Sequence, residues 1–364
     1  MNILWLAHRD PLNPKAGGNE AIINEISRAL IKKGNKVTVI AGGWKGSKKE
    51  DFIGGVHIIR YGKRFGPHLA APFVMLKNKY DIVICDLGHA VPWFSPVLLR
   101  KKHVVSFVHL HKRSLRGQVG KVLAYTLTAI EKCYPIIYHN SKFVTISNTS
   151  FRDLVELGIR HENITIINPG VDHELFKPST SIKTSYPSIV YFGGMRAYKR
   201  PNEAIFLINS IRQDISNIKL FIVGIGPELE RLKNLSQELN LSDLVEFTGR
   251  LNKEDLSSIV ARSWLNIHTS ITEGFGISVI EAASCGTPTI AYDVPGISDS
   301  VDDGRNGLKV KDGDREALIE AALSILRNPE RWWSSSTEVA KKYSWDTAAE
   351  LWDKLIQEVV GIQY

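Results

Sequence analysis

The stretch LNIHTSITEGFGISVIEAAS, residues 265–284, decides the fold. Its first four residues, Leu265–His268, form an apolar run with the length and composition of a buried strand. A glycine-containing turn follows, and residues 276–284 have the pattern of a helix that stops at Gly286. A strand, a turn and a helix in that order form the unit from which parallel α/β sheets are built.

The same unit recurs along the whole chain. Short β-branched runs alternate with longer amphipathic stretches, which predicts helices packed on parallel sheets. The runs form two sets, separated by the turn and linker composition of residues 168–172 and 177–181. We therefore predict an α/β fold with two doubly wound parallel-sheet domains. The first set is 3–7, 36–40, 56–60, 82–85, 103–108, 143–146 and 164–167, and the second is 188–192, 219–223, 244–247, 265–268 and 287–291.

Length and composition agree with two globular domains. The chain has 364 residues, of which 43% are hydrophobic and 23% charged. At roughly 150 residues per domain, this length predicts two domains with a core each. No apolar run approaches the ~18 residues of a membrane-spanning helix, and no basic segment precedes the apolar run near Met1. The cysteines Cys85, Cys133 and Cys285 are far apart and lack metal-ligand spacing, so we expect a cytoplasmic protein in a reducing compartment.

Basic residues are concentrated in the first half of the chain. The net charge is +8, and residues 60–130 contain twelve lysines and arginines but only two acids, Asp81 and Asp86. This excess favours an anionic partner, and we expect peripheral contact with an anionic membrane. The basic residues 113–116 lead into an amphipathic pattern that would lie on such a membrane or pack into the core. A solvated basic surface and nucleic acid are the alternatives, but no nucleic-acid-binding module is recognisable.

The turn before the decisive helix carries the most informative chemistry. Glu273 and Glu281 bracket it, and the amides of Phe275, Gly276 and Ile277 are expected to be free donors at the positive end of the helix. Such a helix end favours phosphate. Glu281 lies about 7.5 Å along the helix, on the far side of the amides from Glu273. Each of the two carboxylates would accept hydrogen bonds from hydroxyl groups of a ligand. An ordinary loop with a helix cap would have the same sequence.

Other predicted strand ends add complementary groups. After strand 188–192 come Arg196, Lys199 and Arg200, whose charges would neutralise a diphosphate. Paired glycines precede a predicted helix over 21–31, where backbone amides can approach phosphate or simply form a turn. Histidines follow strand 103–108, and residues 92–96 (PWFSP) would line an acceptor pocket or belong to the core. These glycines are Gly17 and Gly18, and the histidines are His109 and His111.

In this order, the motifs resemble the family 4 glycosyltransferases, retaining enzymes with the two-domain GT-B fold. The resemblance covers nearly the whole chain. It implies two Rossmann-like domains that face each other across a cleft: an acceptor-side domain of residues 1–172 plus 345–364, and a nucleotide-sugar-binding domain of residues 173–344. Besides the two glutamates, the motifs are VTIS (144–147), NPGVD (168–172), IVGIGPE (222–228), FTGR (247–250), DGRNG (303–307) and YSWD (343–346).

The resemblance also implies roles for individual residues. Glu281 would accept the ribose hydroxyls of a nucleotide sugar, and Glu273 would hold the hydroxyls of the transferred sugar. Lys199 matches the diphosphate-binding lysine of the family. The family arginine usually stands where this chain has Gly194, and we expect Arg196 to replace it.

Further roles concern the rest of the donor. His109 would contact the donor sugar, and Gly17 and Gly18 would lie beneath the phosphates. The backbone around Arg250 and Leu251 would hold the base, which leaves uracil and guanine open.

The sequence thus predicts a hexosyltransferase that uses a UDP- or GDP-sugar, with retention and without a cofactor or metal. The DxD-like run at 312–314 lies in a late polar turn, where we do not expect a metal. The acceptor would be a hydroxyl of a glycan or a lipid-linked sugar at the inner membrane face, as in polysaccharide or glycolipid biosynthesis. Another GT-B enzyme, such as a nucleotide-sugar epimerase, and a non-enzymatic nucleic-acid-binding protein are the alternatives.

Overall fold

The computed structural model describes residues 1–63, 65–111, 120–178, 183–215 and 217–362. The chain divides into two compact units. The first unit is Met1–Pro169 with Trp345–Tyr364, and the second unit is Gly170–Ser344. The boundary between residues 169 and 170 lies three residues before the one predicted from the sequence, after residue 172. The boundary between residues 344 and 345 lies where the sequence predicted it.

The first unit is built on an eight-stranded sheet with the strand order β3-β4-β2-β1-β5-β6-β7-β8. All neighbouring strands are parallel except the pair β3 and β4, which is antiparallel. The sheet lies in the core: Ile3–Leu6 have no solvent exposure, as expected for a parallel strand covered on both faces. Its strands are β1 Asn2–Leu6, β2 Lys36–Ala41, β3 Glu50–Ile53, β4 Val56–Arg60, β5 Ile82–Asp86, β6 His103–Phe107, β7 Lys142–Thr145 and β8 Ile164–Ile166.

The second unit contains a six-stranded parallel sheet with the order β11-β10-β9-β12-β13-β14. Its strands are β9 Ser188–Phe192, β10 Lys219–Val223, β11 Val245–Gly249, β12 Leu265–His268, β13 Thr289–Tyr292 and β14 Gly307–Val310. The predicted α/β class with two parallel sheets is confirmed. Each predicted strand lies within two residues of an observed one, but β3 and β14 were not predicted. Both are edge strands whose short, partly polar sequences lack a continuous apolar run.

Helices cover both sheets. The predicted helix over 21–31 begins earlier, at Gly18, and the decisive helix begins at Ile277. The last helix packs on the first helix, and the rings of Trp5 and Trp352 lie 5.5 Å apart within the first unit. No helix among the described residues combines the length and apolar character needed to cross a membrane.

The α-helices of the described residues are α1 Gly18–Lys32, α2 Gly66–Lys77, α3 Phe94–Leu98, α4 Lys121–Glu131, α5 Tyr134–Ile137, α6 Asn148–Leu157, α7 Asn202–Ile211, α8 Leu229–Glu238, α9 Lys253–Arg262, α10 Ile277–Ser284, α11 Ile297–Ser300, α12 Arg315–Leu326, α13 Glu330–Ala340 and α14 Trp345–Val360.

Candidate active site

In the sheet of the second unit, the direction in which the chain adds successive strands reverses between β9 and β12. From β9 the chain adds β10 and β11 on one side, and it then crosses over to add β12, β13 and β14 on the other. At such a switch point the loops at the carboxyl ends of the two central strands diverge, and the crevice between them binds ligands. These loops are residues 193–201 and 269–276, and the amide of Ile271 donates to the carbonyl of Tyr198 at 2.8 Å. This backbone hydrogen bond therefore links the loop that carries Lys199 to the loop that carries Glu273.

An ion pair links the two loops. Nζ of Lys199 lies 2.7 Å from Oε1 of Glu273, and Oγ of Ser270 donates to the same oxygen at 2.8 Å. Burial is the largest single influence and raises the pKa of Glu273, but the charge of Lys199, the nearby His268 and the hydrogen bonds from Lys199 and Ser270 together outweigh it and lower this pKa to about 2. Burial is likewise the largest single influence on Lys199 and disfavours its charge, but Glu273 together with Tyr198 and Tyr191 outweighs burial and raises the pKa of Lys199 above its ordinary value. Both groups stay charged at neutral pH.

The other two basic residues of the first loop differ in their surroundings. Arg200 donates to the carbonyl oxygens of Thr269 at 2.7 Å and Ser270 at 3.2 Å, so it braces one loop against the other. Arg196 is exposed, and its Nε lies 3.9 Å from the position that a Cβ on Gly194 would take. The guanidinium of Arg196 thus reaches the space that a side chain at position 194 would enter.

The amino end of α10 presents backbone donors. Gly276 caps the helix with φ +87°, and a Cβ there would lie 2.7 Å from Cδ1 of Ile297. Among the described residues, no protein acceptor bonds the amides of Phe275, Gly276 or Ile277. The ring of Phe275 is buried against Tyr343, so this residue offers only its backbone to a ligand. Three open amides at the positive end of a helix suit an anion.

Glu281 lies within α10 and is partly buried. Burial raises its pKa to about 7, and the charge of Lys253 opposes this rise. Within the described part of the chain, no group donates a hydrogen bond to its carboxyl oxygens. Glu281 can therefore accept hydrogen bonds from a hydroxyl-bearing ligand without giving up a protein contact.

The loops after β10 and β11 lie at the same edge. Gly224 has φ +136°, and a Cβ there would lie 2.0 Å from the carbonyl oxygen of Gly193, so only glycine permits this approach. The amide of Gly224 donates to the carbonyl of Gly249 at 2.8 Å. Arg250 and Leu251 follow directly, which places both at the carboxyl end of the sheet.

The predicted residues of the first unit lie at the corresponding edge of its sheet. Gly17 caps α1, and its amide donates to Oε2 of the buried Glu20 at 2.7 Å, while Nε of Arg9 donates to Oε1 at 2.9 Å. The amide of Gly17 thus has a protein acceptor, and Gly18 is the first residue of the helix. The capping-box pattern of a glutamate three residues after the cap signals this bond in the sequence.

His109 and His111 follow β6, and their rings lie 5.2 Å apart. Nδ1 of His111 lies 2.9 Å from Oε1 of Glu131, and its Nε2 lies 3.2 Å from the carbonyl oxygen of Gly88. His109 is partly buried at the end of the strand. The amphipathic pattern predicted from residue 113 begins outside the described residues.

Both aspartates of the DxD-like run at 312–314 contact other residues of the protein. Asp312 pairs with Arg200, and Asp314 caps α12 by accepting from the amide of Ala317 at 3.0 Å. Sequence reasoning missed Ser270, which donates to the same oxygen of Glu273 as Lys199. Only its position three residues before Glu273 could have suggested the contact.

Two family models match the chain in succession. The model for Glycosyltransferase Family 4 matches residues 16–175, and the model for Glycosyl transferases group 1 matches residues 172–346. The chain belongs to the family 4 glycosyltransferases. The predicted family and the predicted enzyme class, glycosyltransferase, are thereby confirmed, and a non-enzymatic nucleic-acid-binding protein is set aside.

This family 4 glycosyltransferase has similar curated relatives. A phosphatidylinositol N-acetylglucosaminyltransferase subunit of Arabidopsis thaliana is 26% identical, with 93% of this chain and 78% of the relative covered. D-inositol 3-phosphate glycosyltransferase of Acidothermus cellulolyticus is 29% identical, with 92% and 84% covered.

Solved structures show that the glycosyltransferase has the GT-B fold. Sucrose-phosphate synthase from Thermosynechococcus elongatus matches with a TM-score of 0.84 at 21% identity, and 100% of both chains is covered. Anabaena HepE in complex with UDP and glucose matches with a TM-score of 0.76 at 18% identity, with 98% of this chain and 100% of that chain covered.

Proposed function

We propose that this enzyme transfers a hexose, with retention, from a UDP- or GDP-linked sugar to a hydroxyl acceptor. The observation that carries the proposal is the convergence of Lys199, Glu273 and the open amides of residues 275–277 at one sheet edge. A lysine and helix amides attract a diphosphate, and the flanking carboxylates accept hydrogen bonds from hydroxyl groups. A nucleotide sugar is a diphosphate between two hydroxyl-bearing rings, which matches this order of groups.

The names of similar proteins support this donor class. A mannosyltransferase of Mycolicibacterium smegmatis, 24% identical, is named as GDP-mannose-dependent. Anabaena HepE was crystallised with UDP and glucose. Both donor bases are represented, so the proposal includes UDP and GDP.

In the proposed reaction, the bond between C1 of the sugar and the β-phosphate oxygen breaks while a bond from C1 to the acceptor oxygen forms on the same face. The acceptor hydroxyl gives its proton to the leaving phosphate. Negative charge grows on the diphosphate as the first bond breaks, and Lys199, Arg196 and the amides of residues 275–277 stabilise it there. No protein nucleophile and no metal takes part.

The remaining residues would bind the donor without joining the bond changes. Oε1 of Glu273 already accepts from Lys199 and Ser270, so its Oε2 is the oxygen that would hold sugar hydroxyls. Glu281 would accept from the ribose, and the backbone of Arg250 and Leu251 would hold the base. His109 would contact the sugar, and Gly17, Gly18 and Gly194 would let backbone approach the donor.

For the acceptor, we propose a glycan or lipid-linked hydroxyl at an anionic membrane, and a cytoplasmic location at its inner face. Leu69, Phe73 and Leu76 form the apolar face of α2, and their side chains are 73%, 73% and 68% exposed. Exposed Lys77 and Lys79 lie at the end of this helix. An apolar face beside basic residues is typical of helices that bind anionic lipid.

A thermal-shift panel of UDP, GDP, UDP-glucose and GDP-mannose tests the donor class. A nucleotide at about 100 times its Kd stabilises the fold by about 2.7 kcal/mol, which raises Tm by several degrees. We expect this rise with the nucleotides of one base, and a smaller rise in Glu281→Ala. Glu246→Ala, an exposed substitution in β11, is the matched control. No rise with any of the four nucleotides would refute the proposal.

A further inference from the structure

Arg200 has a backbone conformation that is unusual for an arginine. Its φ is +47°, in the left-handed region, where contacts of the Cβ atom penalise residues other than glycine. Pro201 follows directly, and a proline favours extended backbone in the residue before it. A glycine would fit this turn at lower cost. Backbone strain of this kind persists only where the surrounding structure holds it, so it directs attention to what the side chain of Arg200 contacts.

The guanidinium of Arg200 is held by three protein acceptors. Its Nε donates to the carbonyl oxygen of Thr269 at 2.7 Å, and its Nη2 donates to the carbonyl oxygen of Ser270 at 3.2 Å and to Oδ1 of Asp312. Its Cζ lies 4.7 Å from the centroid of the Tyr292 ring, within the range of a cation–π contact. The edge of the guanidinium that carries these donors therefore faces the protein, which suits the fixing of a loop better than the binding of a diphosphate.

Thr269 binds back to the loop that carries Arg200. Thr269 is fully buried, and its Oγ1 donates to the carbonyl oxygens of Lys199 at 3.1 Å and Arg200 at 2.9 Å. The side chain of each residue thus binds the backbone of the opposite loop, and we call this pair, Arg200 and Thr269, the clamp. The amide of Ile271 adds a bond between the two backbones, to the carbonyl oxygen of Tyr198 at 2.8 Å.

The clamp holds the backbone on both sides of the ion pair. Lys199 immediately precedes Arg200, and its carbonyl oxygen is one of the two acceptors of Thr269. Glu273 follows Ser270 by three residues, and Oγ of Ser270 donates to Oε1 of Glu273 at 2.8 Å. Attraction between charges depends on distance and has no preferred direction, so it does not by itself fix how the two loops are aligned. The hydrogen bonds of the clamp do.

A second set of contacts supports Arg200 from behind. The hydroxyl of Tyr292, whose ring lies against the guanidinium, donates to Oε2 of Glu203 at 3.1 Å. Glu203 accepts two further hydrogen bonds from Arg315, both at 2.7 Å. Tyr292 ends β13, Glu203 lies on α7 and Arg315 begins α12, so these contacts connect the clamp to three elements of the second unit. Such support locks a side-chain rotamer, as precise positioning requires.

We propose that Arg200 is a positioning residue for sugar transfer, which together with Thr269 holds Lys199 and Glu273 at the spacing that a diphosphate-linked sugar requires. The role rests on the proposed function. Arg200 acts through Lys199 and Glu273 and does not itself contact the diphosphate. The proposal also gives a role to Asp312, the first aspartate of the DxD-like run, as an anchor for Arg200.

Hydrogen exchange tests the clamp independently of the reaction. The amide of Ile271 reports on the contact between the loops, because it donates to the carbonyl oxygen of Tyr198. In Arg200→Gly its exchange should become at least about tenfold faster, since local opening of this contact becomes easier. The amide of Thr289, which donates to the carbonyl oxygen of Asn306 at the other end of the sheet, is the internal reference. An unchanged rate at Ile271 would overturn the proposal.

Glycine and alanine variants separate positioning from stability. Arg200→Gly and Arg200→Ala both lose the guanidinium, but only glycine relieves the left-handed backbone, so Arg200→Gly should melt about 2–4 °C above Arg200→Ala. The kcat for transfer should nevertheless fall about 10- to 100-fold in both variants, because small displacements of reacting groups are costly. The affinity for uridine or guanosine should stay at the wild-type value.

The matched control relieves the same backbone conformation elsewhere. Asn240 has φ +54° and follows α8, so Asn240→Gly should leave kcat unchanged. A kcat that follows the melting temperature, with Arg200→Gly close to the wild type, would overturn the positioning role of Arg200.

A conservative pair tests the other half of the clamp. Thr269→Val keeps the shape of the side chain and removes the hydroxyl, so kcat should fall at least about tenfold as two buried carbonyl oxygens lose their donor. Thr269→Ser keeps the hydroxyl and should restore most of the wild-type kcat. Equal turnover in the valine and serine variants would contradict the clamp.

A nucleotide titration separates this proposal from the proposed donor function. Nucleotide binding together with wild-type turnover in Arg200→Gly would refute the positioning role alone. A wild-type enzyme that binds neither UDP nor GDP would refute the donor function, and faster exchange at Ile271 in Arg200→Gly would still support the clamp.

Discussion

The two sheets end in edges of contrasting chemistry. At the β9/β12 edge of the second unit, Lys199 and Glu273 are both charged, and open helix amides add positive potential. At the β1/β5 edge of the first unit, a neutral His68 faces His89, and Asp86 titrates near neutral pH. The same topology thus places different chemical groups at the two edges. Paired charge and amide dipoles suit a diphosphate, whereas the β1/β5 edge presents a neutral imidazole ring and a carboxyl group that changes its charge near neutral pH.

Removing the lysine should produce the largest difference between the edges. Lys199→Ala leaves Glu273 without its counter-charge and removes a cation from the leaving diphosphate, so we expect the transfer rate to fall by about 10²–10³-fold. Steady-state transfer from the preferred nucleotide sugar measures it. The matched control is Lys233→Ala, which removes a partly exposed lysine on α8 whose partner is Glu230. A turnover near that of the wild type would contradict the role given to Lys199.

The pH dependence of folding stability tests the protonation of Glu281 at the edge of the second unit. The folded state holds the proton of Glu281 up to a pKa of about 7, above the ordinary value of 4.5. Stability should therefore fall as pH rises from about 4.5 to 7, because the unfolded chain loses this proton first. In Glu281→Gln this loss is absent, so at pH 8 the variant should be more stable by about 1–3 kcal/mol.

Two measurements test the stability gain expected for Glu281→Gln. Urea unfolding at pH 8 and pH 4 should show the stability gain of Glu281→Gln only at the higher pH. Nucleotide titration should show the opposite sign, with affinity reduced about tenfold by the loss of a charged acceptor. A variant that gains stability equally at both pH values would rule out a buried, raised-pKa carboxyl at this position.

The smallest effect concerns the apolar face of α2. Phe73→Asp places a charge in the middle of this face, and we expect vesicle affinity to fall about tenfold, as the loss of one buried apolar side chain implies. Sedimentation with vesicles containing phosphatidylserine measures it. The control is Leu351→Asp, since Leu351 is 43% exposed on α14. Equal binding by Phe73→Asp and the wild type would remove α2 from the membrane contact.

The sequence predicted the parts of this molecule that depend on local patterns. Buried parallel strands are continuous apolar runs, so β9 and β10 were predicted with their observed bounds. The edge strands β3 and β14 were missed because their short, partly polar sequences lack a continuous apolar run. The decisive helix was predicted from Gly276, one residue before its observed start at Ile277, because Gly276 is the cap of the helix in a left-handed conformation.

Contacts between distant residues were beyond prediction. Nothing in a single sequence distinguishes Arg200, which braces carbonyl oxygens of the next loop, from Lys199, which pairs with Glu273. The contact of Asn19 with Asp86 spans 67 residues and depends on the absence of a side chain at Gly88. His109 was selected by its place after a strand, whereas His68 lies on a helix and meets His89 only in the folded chain.

The most direct test of the central claim, that the β9/β12 edge binds a diphosphate, is a calorimetric comparison of nucleoside and nucleoside diphosphate. In the wild type, UDP or GDP should bind at least about 100-fold more tightly than uridine or guanosine, as two charge-assisted contacts would provide. In Lys199→Ala most of this difference should disappear while the nucleoside affinity stays the same. An undiminished difference in Lys199→Ala would contradict the account.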